Sequence, residues 1–350
     1  MRYGFFHANI SCDIFSFSNA EISCIMIPNA HEAPSIRWML VQRGPKRSVE
    51  SVVTGKEVLM NKIGIVTDSN SGLKKEEAEE LQIKVLAMPF YFEETCYYED
   101  ITITREEFFE KMDAGLAVQT SQPSPEMVQR LWDEALQEYE QILYFPISSG
   151  LSGSYMTAMV MSQQEEYEGK VFVVDDGRVS TPLLSMLLDA IDLIEKGLDA
   201  EEIRGILEEQ REKMSVYIAM GTLEYLKRGG RIDARKAALG NLLNIKPILS
   251  LGTGTFDVYK KSRGSKRAHA EMIEAIRNDL NTRFAEEYRN GNVRILVATS
   301  ADECETNAWI QEVEEAFPGM EVLSGYLSLG ACCHIGPGAL GIGCACKPQL

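Results

Sequence analysis

From residue 62 to about residue 220, short runs of apolar residues alternate with longer stretches in which apolar side chains recur every three or four positions. The short runs predict buried strands, and the longer stretches predict helices with one apolar face. In chain order, the predicted strands are 63–67, 85–92, 141–147, 171–174 and 217–220, and the predicted helices begin near Leu73, Thr104, Ser124, Met156, Leu183 and Asp199. Strands that alternate with helices indicate parallel βαβ units, so this part of the chain is predicted to be an α/β domain.

The pattern changes after residue 225, where the polar segment 226–232 interrupts the alternation. Residues 246–251 and 256–259 predict two strands of a hairpin, joined by a glycine-rich turn. The later predicted elements are a helix at 266–284, a strand at 294–299, a helix at 305–317, a strand near Val322 and a glycine- and cysteine-rich tail at 327–350. The fold class is therefore predicted to be α/β with two domains. The N-terminal domain, 60–225, has a largely parallel sheet with flanking helices, and the C-terminal α/β domain, 226–350, is smaller.

The first 59 residues differ from the rest, because they contain scattered prolines and no sustained helical or strand period. Met60 is followed at once by the first predicted strand, as at the start of a protein. We predict that residues 1–59 are a non-native or disordered leader. A targeting peptide is less consistent with this segment, since Asp13, Glu21 and Glu32 interrupt it and no continuous apolar region follows a basic start.

The composition excludes several classes of function. The net charge of −17 argues against a nucleic-acid partner, because phosphate contacts need a basic surface. No apolar run approaches the roughly 20 residues that span a bilayer, so no integral membrane segment is predicted. The eight cysteines have no regular framework spacing, which indicates reduced thiols and a cytoplasmic location.

The serine- and glycine-rich turn 148–155 follows one apolar strand and opens a helix-forming segment. Its glycines let the backbone turn tightly and approach a ligand, and the helix start offers unpaired N–H groups to an anion. The hydroxyls of Ser148, Ser149, Ser152 and Ser154 can donate to the same anion. The same serines can also act simply as helix caps, so this turn alone leaves both interpretations open.

Two further polar turns combine a donor side chain with residues that fix the backbone. One is 120–125, which begins with Thr120, and the other is 334–338, which begins with His334. His334 is one of two histidines after Met60, and as a buried residue it can equally be satisfied by a backbone carbonyl.

Several familiar catalytic patterns are missing from the sequence. It contains no G-x-x-x-x-G-K-[ST] phosphate loop, no G-x-G-x-x-G after the first strand, and no G-x-S-x-G elbow. A serine hydrolase would have to use Ser152 with His334 as its base. Cysteines 332, 333, 344 and 346 raise the question of a metal site, but buried structural thiols are favoured over metal ligands.

A basic cluster stands out in this acidic chain. It comprises Lys260, Lys261, Arg263, Lys266 and Arg267, to which Arg228 and Arg231 are added. Such a group can face a phosphate or an acidic partner protein, or it can be an ordinary solvated surface.

Taken together and in order, six short segments resemble the DegV family, which includes the FakB-type fatty-acid carriers. The segments are 65–69 (Ile-Val-Thr-Asp-Ser), 120–123 (Thr-Ser-Gln-Pro), 148–155 (Ser-Ser-Gly-Leu-Ser-Gly-Ser-Tyr), 226–231 (Leu-Lys-Arg-Gly-Gly-Arg), 245–247 (Ile-Lys-Pro) and 334–338 (His-Ile-Gly-Pro-Gly). The resemblance covers residues 60–346, and the order of the motifs carries it more than any single one.

The resemblance implies a long-chain fatty acid buried in a tunnel between two domains. Its carboxylate would be held by Thr120, by Ser152 with the Gly153 N–H, and by His334. Ser121 in the first of these turns is expected to bind the ligand as well. Residues expected to lie near the ligand are Asp68, Ser69 and Ser149.

The resemblance also implies a role for the bound acid. In FakB-type members it is presented to a separate ATP-dependent kinase that makes an acyl phosphate. Arg228 and Arg231 would then lie at the partner-facing mouth, and neither a cofactor nor a metal is expected. The rival hypotheses are a serine hydrolase or a sugar or ketone kinase of related fold.

Two segments depart from the pattern of the family. Many members carry Asp-Ser and a glycine-rich stretch after the strand that ends here at Val174, whereas this chain has Asp-Asp-Gly-Arg-Val-Ser-Thr-Pro at 175–182. Residues 329–333 also differ. The first departure bears on the lining of the tunnel and hence on which acyl chains it prefers.

Overall fold

The computed structural model describes residues 63–232, 245–252 and 254–349. Within them lie thirteen strands, numbered in chain order: β1 (Ile63–Asp68), β2 (Ile83–Leu86), β3 (Phe90–Phe92), β4 (Thr95–Tyr97), β5 (Val118–Thr120), β6 (Gln141–Phe145), β7 (Val171–Val173), β8 (Met214–Ala219), β9 (Ile245–Leu251), β10 (Phe256–Arg263), β11 (Val293–Thr299), β12 (Val322–Tyr326) and β13 (Leu340–Cys346). The same residues contain eleven α-helices: α1 (Lys75–Glu80), α2 (Arg105–Asp113), α3 (Pro125–Leu136), α4 (Ser154–Ser162), α5 (Thr181–Glu195), α6 (Ala200–Glu209), α7 (Glu224–Arg228), α8 (Ser265–Asn281), α9 (Ala285–Arg289), α10 (Glu303–Ala316) and α11 (Leu329–Ile335). The predicted leader, 1–59, lies outside the described residues.

The first sheet has four parallel strands in the order β2-β1-β6-β7. Successive residues of a strand point to opposite faces, and both faces of this sheet are covered. On one face, Ile65 and Phe145 pack in a core with α5 and α6, and on the other Val66 and Tyr144 pack in a core with α3 and α4. This three-layer arrangement confirms the predicted α/β class with a largely parallel sheet.

The second sheet has six strands in the order β10-β9-β8-β13-β11-β12. All neighbours are antiparallel except β11 and β12, so the sheet is mixed. One of its faces packs on α8 and α10 through a core that includes Met272, Ile276 and Trp309. A third, small antiparallel sheet, β4-β3-β5, completes the strands. All the described residues belong to one compact unit.

Strand pairing places the change of sheet earlier than the predicted boundary at 225/226. β8 pairs with β9 and β13, so it belongs to the second sheet, and the change falls between Glu209 and Met214. The predicted strand 85–92 is also two strands. β2 pairs in the first sheet and β3 in the third, with Pro89, which has no N–H to donate, between them.

The predicted tail is the central part of the second sheet. β13 lies between β8 and β11, and α11 precedes it. Cys332 and Cys333 lie in this helix, and Cys344 and Cys346 lie in β13. All four thiols are buried, as predicted, and burial raises the pKa of Cys332 to about 12. Among the described residues no helix is long and apolar enough to cross a membrane.

An ion pair between Arg294 of β11 and Asp189 of α5 connects the second sheet to a helix that packs on the first. Both side chains are at most 5% exposed. The Arg294 guanidinium also donates to the carbonyl and hydroxyl oxygens of Ser185, and to Glu321 at 3.0 Å. The Arg294 guanidinium is therefore paired and hydrogen-bonded on several sides. A charged group can be buried only if it is paired and hydrogen-bonded in this way.

Replacing Arg294 with methionine should destabilise the fold strongly, because the buried Asp189 carboxylate then loses its cationic partner. We expect the free energy of unfolding, measured by urea denaturation, to fall by about 3–5 kcal/mol. The double variant Asp189→Leu/Arg294→Met removes both charges and should regain most of the loss. Lys75→Ala is the control, since Lys75 and Glu79 form an exposed pair 3.9 Å apart. Its effect should stay below about 1 kcal/mol. Equal effects of Arg294→Met and Lys75→Ala would contradict the prediction.

Candidate ligand-binding site

A cavity lies between the second sheet and the carboxyl ends of the strands of the first. The space within it, open mouth included, is about 1060 Å³. Its floor is one face of the second sheet, formed by Val216 and Ile218 of β8, Leu296 and Ala298 of β11, and Gly341 and Gly343 of β13. The floor is therefore entirely apolar.

The two glycines of β13 have no side chains and so leave the space above this floor open. A Cβ built on Gly343 would lie 2.7 Å from the carbonyl oxygen of Ser215, and one on Gly341 would lie 3.0 Å from that of Ala298. Larger residues would clash with the neighbouring strands and occupy the cavity. The Gly-x-Gly alternation at 341–343 is the sequence signal of this floor, and the predicted tail at 327–350 did not include it as a strand.

The opposite wall comes from the segments that follow β1, β6 and β7, which include Asn70, Ile147 and residues 179–182. The buried carboxylate of Asp68 holds two of these segments together by accepting from the N–H of Ile147 at 2.8 Å and of Asn70 at 2.9 Å. Burial raises the pKa of Asp68 to about 6, against these two hydrogen bonds, which lower it. These segments meet beyond the carboxyl ends of the strands, which is where ligands bind in parallel α/β sheets.

The polar end of the cavity contains Thr120 and His334. Thr120 ends β5 and His334 lies in the last turn of α11, and their Oγ1 and Nε2 atoms are 2.8 Å apart. Both residues line the cavity, as do the polar residues Ser121, Gln122, Ser152 and Arg231. Ser121 and Gln122 are exposed, so this end is also the mouth. His334 lies in a helix, not in a turn as predicted.

Burial, together with the nearby Arg231 guanidinium, lowers the pKa of His334 to about 4. The imidazole is therefore neutral at pH 7 and carries its proton on one nitrogen. With the proton on Nε2 it donates to Thr120 Oγ1, which frees the threonine hydroxyl to donate to a ligand. Within the described residues, His334 Nδ1 has no hydrogen-bond partner. It faces Gly229, where a Cβ would come within 2.0 Å of it.

Ser152 has the features expected both of a helix-capping residue and of a ligand-site residue. Its hydroxyl lies 2.8 Å from the Ser154 hydroxyl and accepts from the Ser154 N–H at 3.3 Å, at the start of α4. Ser152 also lines the cavity, so the residue that contacts the helix start is also part of the cavity wall. Gly153 follows it and is exposed.

Five of the residues predicted to contact a ligand or partner, or to lie near the ligand, do not line the cavity within the described part of the chain: Asp68, Ser69, Ser149, Gly153 and Arg228. Ser69 accepts from the Met88 N–H at 3.1 Å. The Ser149 hydroxyl donates to Asp175 at 3.0 Å and accepts from Arg211 at 3.1 Å. Arg228 is exposed in α7. Asp68, Ser69 and Ser149 thus hold the turns in place around the cavity.

Arg231 was predicted at a partner-facing mouth, and the structure gives it a place on the cavity wall. Its guanidinium donates to the carbonyl oxygens of Leu151 at 3.2 Å and Gly229 at 2.6 Å. These two bonds hold a positive charge beside His334 and near Ser152. Spacing alone could not distinguish Arg231 from Arg228, since both belong to the same short segment.

The geometry does not favour the serine hydrolase hypothesis. His334 Nε2 is bonded to Thr120, while the Ser152 hydroxyl is bonded to Ser154. The described residues give no hydrogen bond between Ser152 and His334, which a nucleophile and its base would share.

A sequence model of the DegV family, described as a family of uncharacterised proteins, matches residues 62–347. A DegV domain-containing protein of Deinococcus radiodurans is 31% identical over 283 residues, which are 80% of this chain and 97% of that protein. The chain therefore belongs to the DegV family.

Two solved structures share the fold. One, described as showing fatty acid binding of a DegV family protein from Thermus thermophilus, is 35% identical with a TM-score of 0.72, and the match covers 81% of this chain and 99% of that one. The other is DegV from Bacillus subtilis, described as a fatty acid binding protein, with 28% identity and a TM-score of 0.70 over 82% and 99% of the two chains.

The buried imidazole makes a testable prediction about pH. The unfolded chain takes up a proton on His334 near pH 6.5 and the folded chain only near pH 4, so acidification through this window favours unfolding. The contribution reaches about 3 kcal/mol. Asp68 acts in the opposite direction, since the folded state protonates it first, near pH 6. We therefore compare the wild type with His334→Gln, in which the Asp68 contribution is unchanged.

Urea denaturation at pH 7, 5 and 4 should show a larger loss of stability in the wild type than in His334→Gln. Parallel stability profiles for the two proteins would show that the imidazole is not held neutral by its surroundings.

Proposed function

We propose that this protein binds a long-chain fatty acid in the cavity, with the carboxylate at the mouth and the acyl chain along the floor of the second sheet. The observation that carries the proposal is the Thr120–His334 pair at the polar end of an otherwise largely apolar cavity, with Arg231 beside it. The fatty-acid-binding descriptions of the Thermus thermophilus and Bacillus subtilis relatives support it.

The apolar floor suits an acyl chain. Each CH₂ group that it removes from water contributes about 0.8 kcal/mol, so a long chain gains affinity in proportion to its buried length. The glycines of β13 leave space for the chain along that floor.

A carboxylate at the mouth needs several donors, because an isolated buried charge is strongly disfavoured. The hydroxyls of Thr120 and Ser152 can each donate one hydrogen bond, and Arg231 supplies the opposite charge. His334 acts on the carboxylate through Thr120 or, after a small shift of the ring, directly. Ser121 lies at the rim of the same site. No metal or cofactor is required.

We propose further that the bound acid is presented to a separate ATP-dependent kinase. The exposure of Ser121 and Gln122 supports this, since the carboxylate would lie at the end of the cavity that a second protein can reach. A carboxylate oxygen would attack the γ-phosphorus of ATP held by the kinase, ADP would leave, and an acyl phosphate would form. The exposed Arg228 is available for contact with that partner.

The purified protein should contain a long-chain fatty acid, detected by mass spectrometry of a solvent extract, and the delipidated protein should bind added palmitate or oleate. Thr120→Ala, Ser152→Ala and His334→Ala should each weaken binding by roughly 1–3 kcal/mol, because the carboxylate loses a buried partner. Isothermal titration calorimetry measures the change.

Ser162→Ala is the control, since Ser162 lies at the far end of α4, does not line the cavity, and donates only to the Met159 carbonyl at 3.0 Å. It should keep the wild-type affinity. A protein that carries no lipid and takes up neither acid would refute the proposal, and equal losses in Ser162→Ala and Ser152→Ala would remove Ser152 from the site.

The carrier role is tested by acyl phosphate formation. The loaded protein, incubated with ATP and an extract of the organism that supplies the gene, should yield an acyl hydroxamate when trapped with hydroxylamine. The loaded protein with ATP alone should yield none. Hydroxamate from the isolated chain would make the protein itself the kinase, and no hydroxamate with the extract would contradict kinase coupling.

A further inference from the structure

The pairing of β8, β13 and β11 arranges the floor of the cavity in rows of residues that lie side by side. Two such rows line the cavity: Ile218, Gly341 and Ala298 form the first, and Val216, Gly343 and Leu296 form the second. Two residues further along each strand, on the same face, a third row consists of Met214, Ala345 and Arg294. None of these last three residues lines the cavity. Along the strands, the cavity therefore ends after the second row.

The first row is the one nearer the carboxylate site. Ser300, two residues beyond Ala298, donates to the carbonyl oxygen of Gly336 at 2.6 Å, and Gly336 directly follows α11, which carries His334. On the neighbouring strand, the chain passes from Ile218 through α7 to Gly229, which faces His334 Nδ1. The second row is thus the inner end of the floor.

Helix α5 closes this inner end. Its first two residues, Thr181 and Pro182, line the cavity. One turn later, the carbonyl oxygen of Ser185 accepts from Arg294 of the third row at 3.3 Å, and after another turn Leu188 packs against the cluster that contains Met214 and Ala345. The helix therefore passes from the cavity wall onto the third row. An acyl chain could extend past the second row only by separating α5 from the sheet and disturbing the buried Arg294–Asp189 pair.

Val216 is the side chain of the second row that a ligand can contact. It is half-buried, whereas Leu296 is only 1% exposed and Gly343 has no side chain. Val216 also packs against the cluster of Met214, Leu296, Leu323 and Ala345 that fills the space beyond the cavity. Its side chain therefore stands between the ligand space and the closed core, where the end of an acyl chain would meet it.

We propose that Val216 is the end stop for the terminal methyl group of the bound acid, so that the size of residue 216 sets the longest acyl chain that the protein binds with full affinity. This rests on the proposed function of fatty-acid binding, with the carboxylate at Thr120 and His334. Up to the stop, each added CH₂ group leaves water for the apolar floor and strengthens binding. Beyond the stop, an added CH₂ group finds no space, and the gain ends. We call the chain length at which the gain ends the length limit.

The test measures dissociation constants of the delipidated protein for the saturated acids from lauric to arachidic by titration calorimetry. In the wild type, each added CH₂ group should tighten binding by about fourfold until the length limit is reached. Val216→Ala should move the length limit to a longer acid, and Val216→Leu should move it to a shorter one. Val216 is only half-buried, so both variants should fold, which far-UV circular dichroism checks.

Ile218→Val is the matched control, because Ile218 lies on the same strand and floor but in the first row, nearer the mouth. Every acid long enough to bind passes this position. The substitution should therefore weaken binding of all acids by the same factor and leave the length limit where it is in the wild type.

The outcomes separate this proposal from the function on which it rests. A length limit that is the same in the wild type, Val216→Ala and Val216→Leu overturns the role of Val216 alone, as does a shift in the same direction in both variants. Affinity that still rises at arachidic acid in the wild type also overturns it. Binding of none of the acids overturns fatty-acid binding itself.

Discussion

The cavity depends on the hydrogen bond between Thr120 and His334, because it joins two elements that have no sequence or sheet connection. Thr120 ends a strand of the small third sheet, and His334 ends α11, which leads into the centre of the second sheet. If either element moved, the donors at the mouth would separate. A site that places its donors before the ligand arrives loses less free energy on binding than one that must order them then.

The rest of α11 is held by contacts that maintain this alignment. The carboxylate of Glu99 accepts from the Leu329 N–H at 2.9 Å, and the Arg105 guanidinium donates to the Leu327 carbonyl at 2.9 Å. Burial raises the pKa of Glu99 to about 7. Its charge at the start of a helix is favourable, so the same bond that positions α11 also offsets the cost of a partly desolvated carboxylate. The orientation of His334 is thus fixed at both ends of its helix.

The sequence predicted those elements whose apolar spacing is local. The strands and helices of the first sheet have strong periodicity, and their class and order were correct. β13 and α11 were not predicted, because glycines and cysteines stand there in place of the usual large apolar residues. In β13, larger residues at 341 and 343 would fill the cavity. The sheet to which β8 belongs could not be predicted either, because the sequence of a strand does not determine which strands it will pair with.

The candidate site divides in the same way. The polar turns could be predicted from the sequence. The contact between Thr120 and His334, which are 214 residues apart, could not, because it depends on tertiary structure alone. Arg231 differs from Arg228 only by its place relative to the cavity wall.

A cavity of this kind lowers the stability of the empty protein. It removes packing contacts from the face of the second sheet that forms its floor. The buried Arg294–Asp189 pair and the cores on either side of the first sheet must therefore hold the two walls in place without help from that space. A ligand that fills the cavity binds only the folded state, so its affinity adds directly to the stability of the fold. The features that weaken the empty protein are the same ones that give an acyl ligand something to bind.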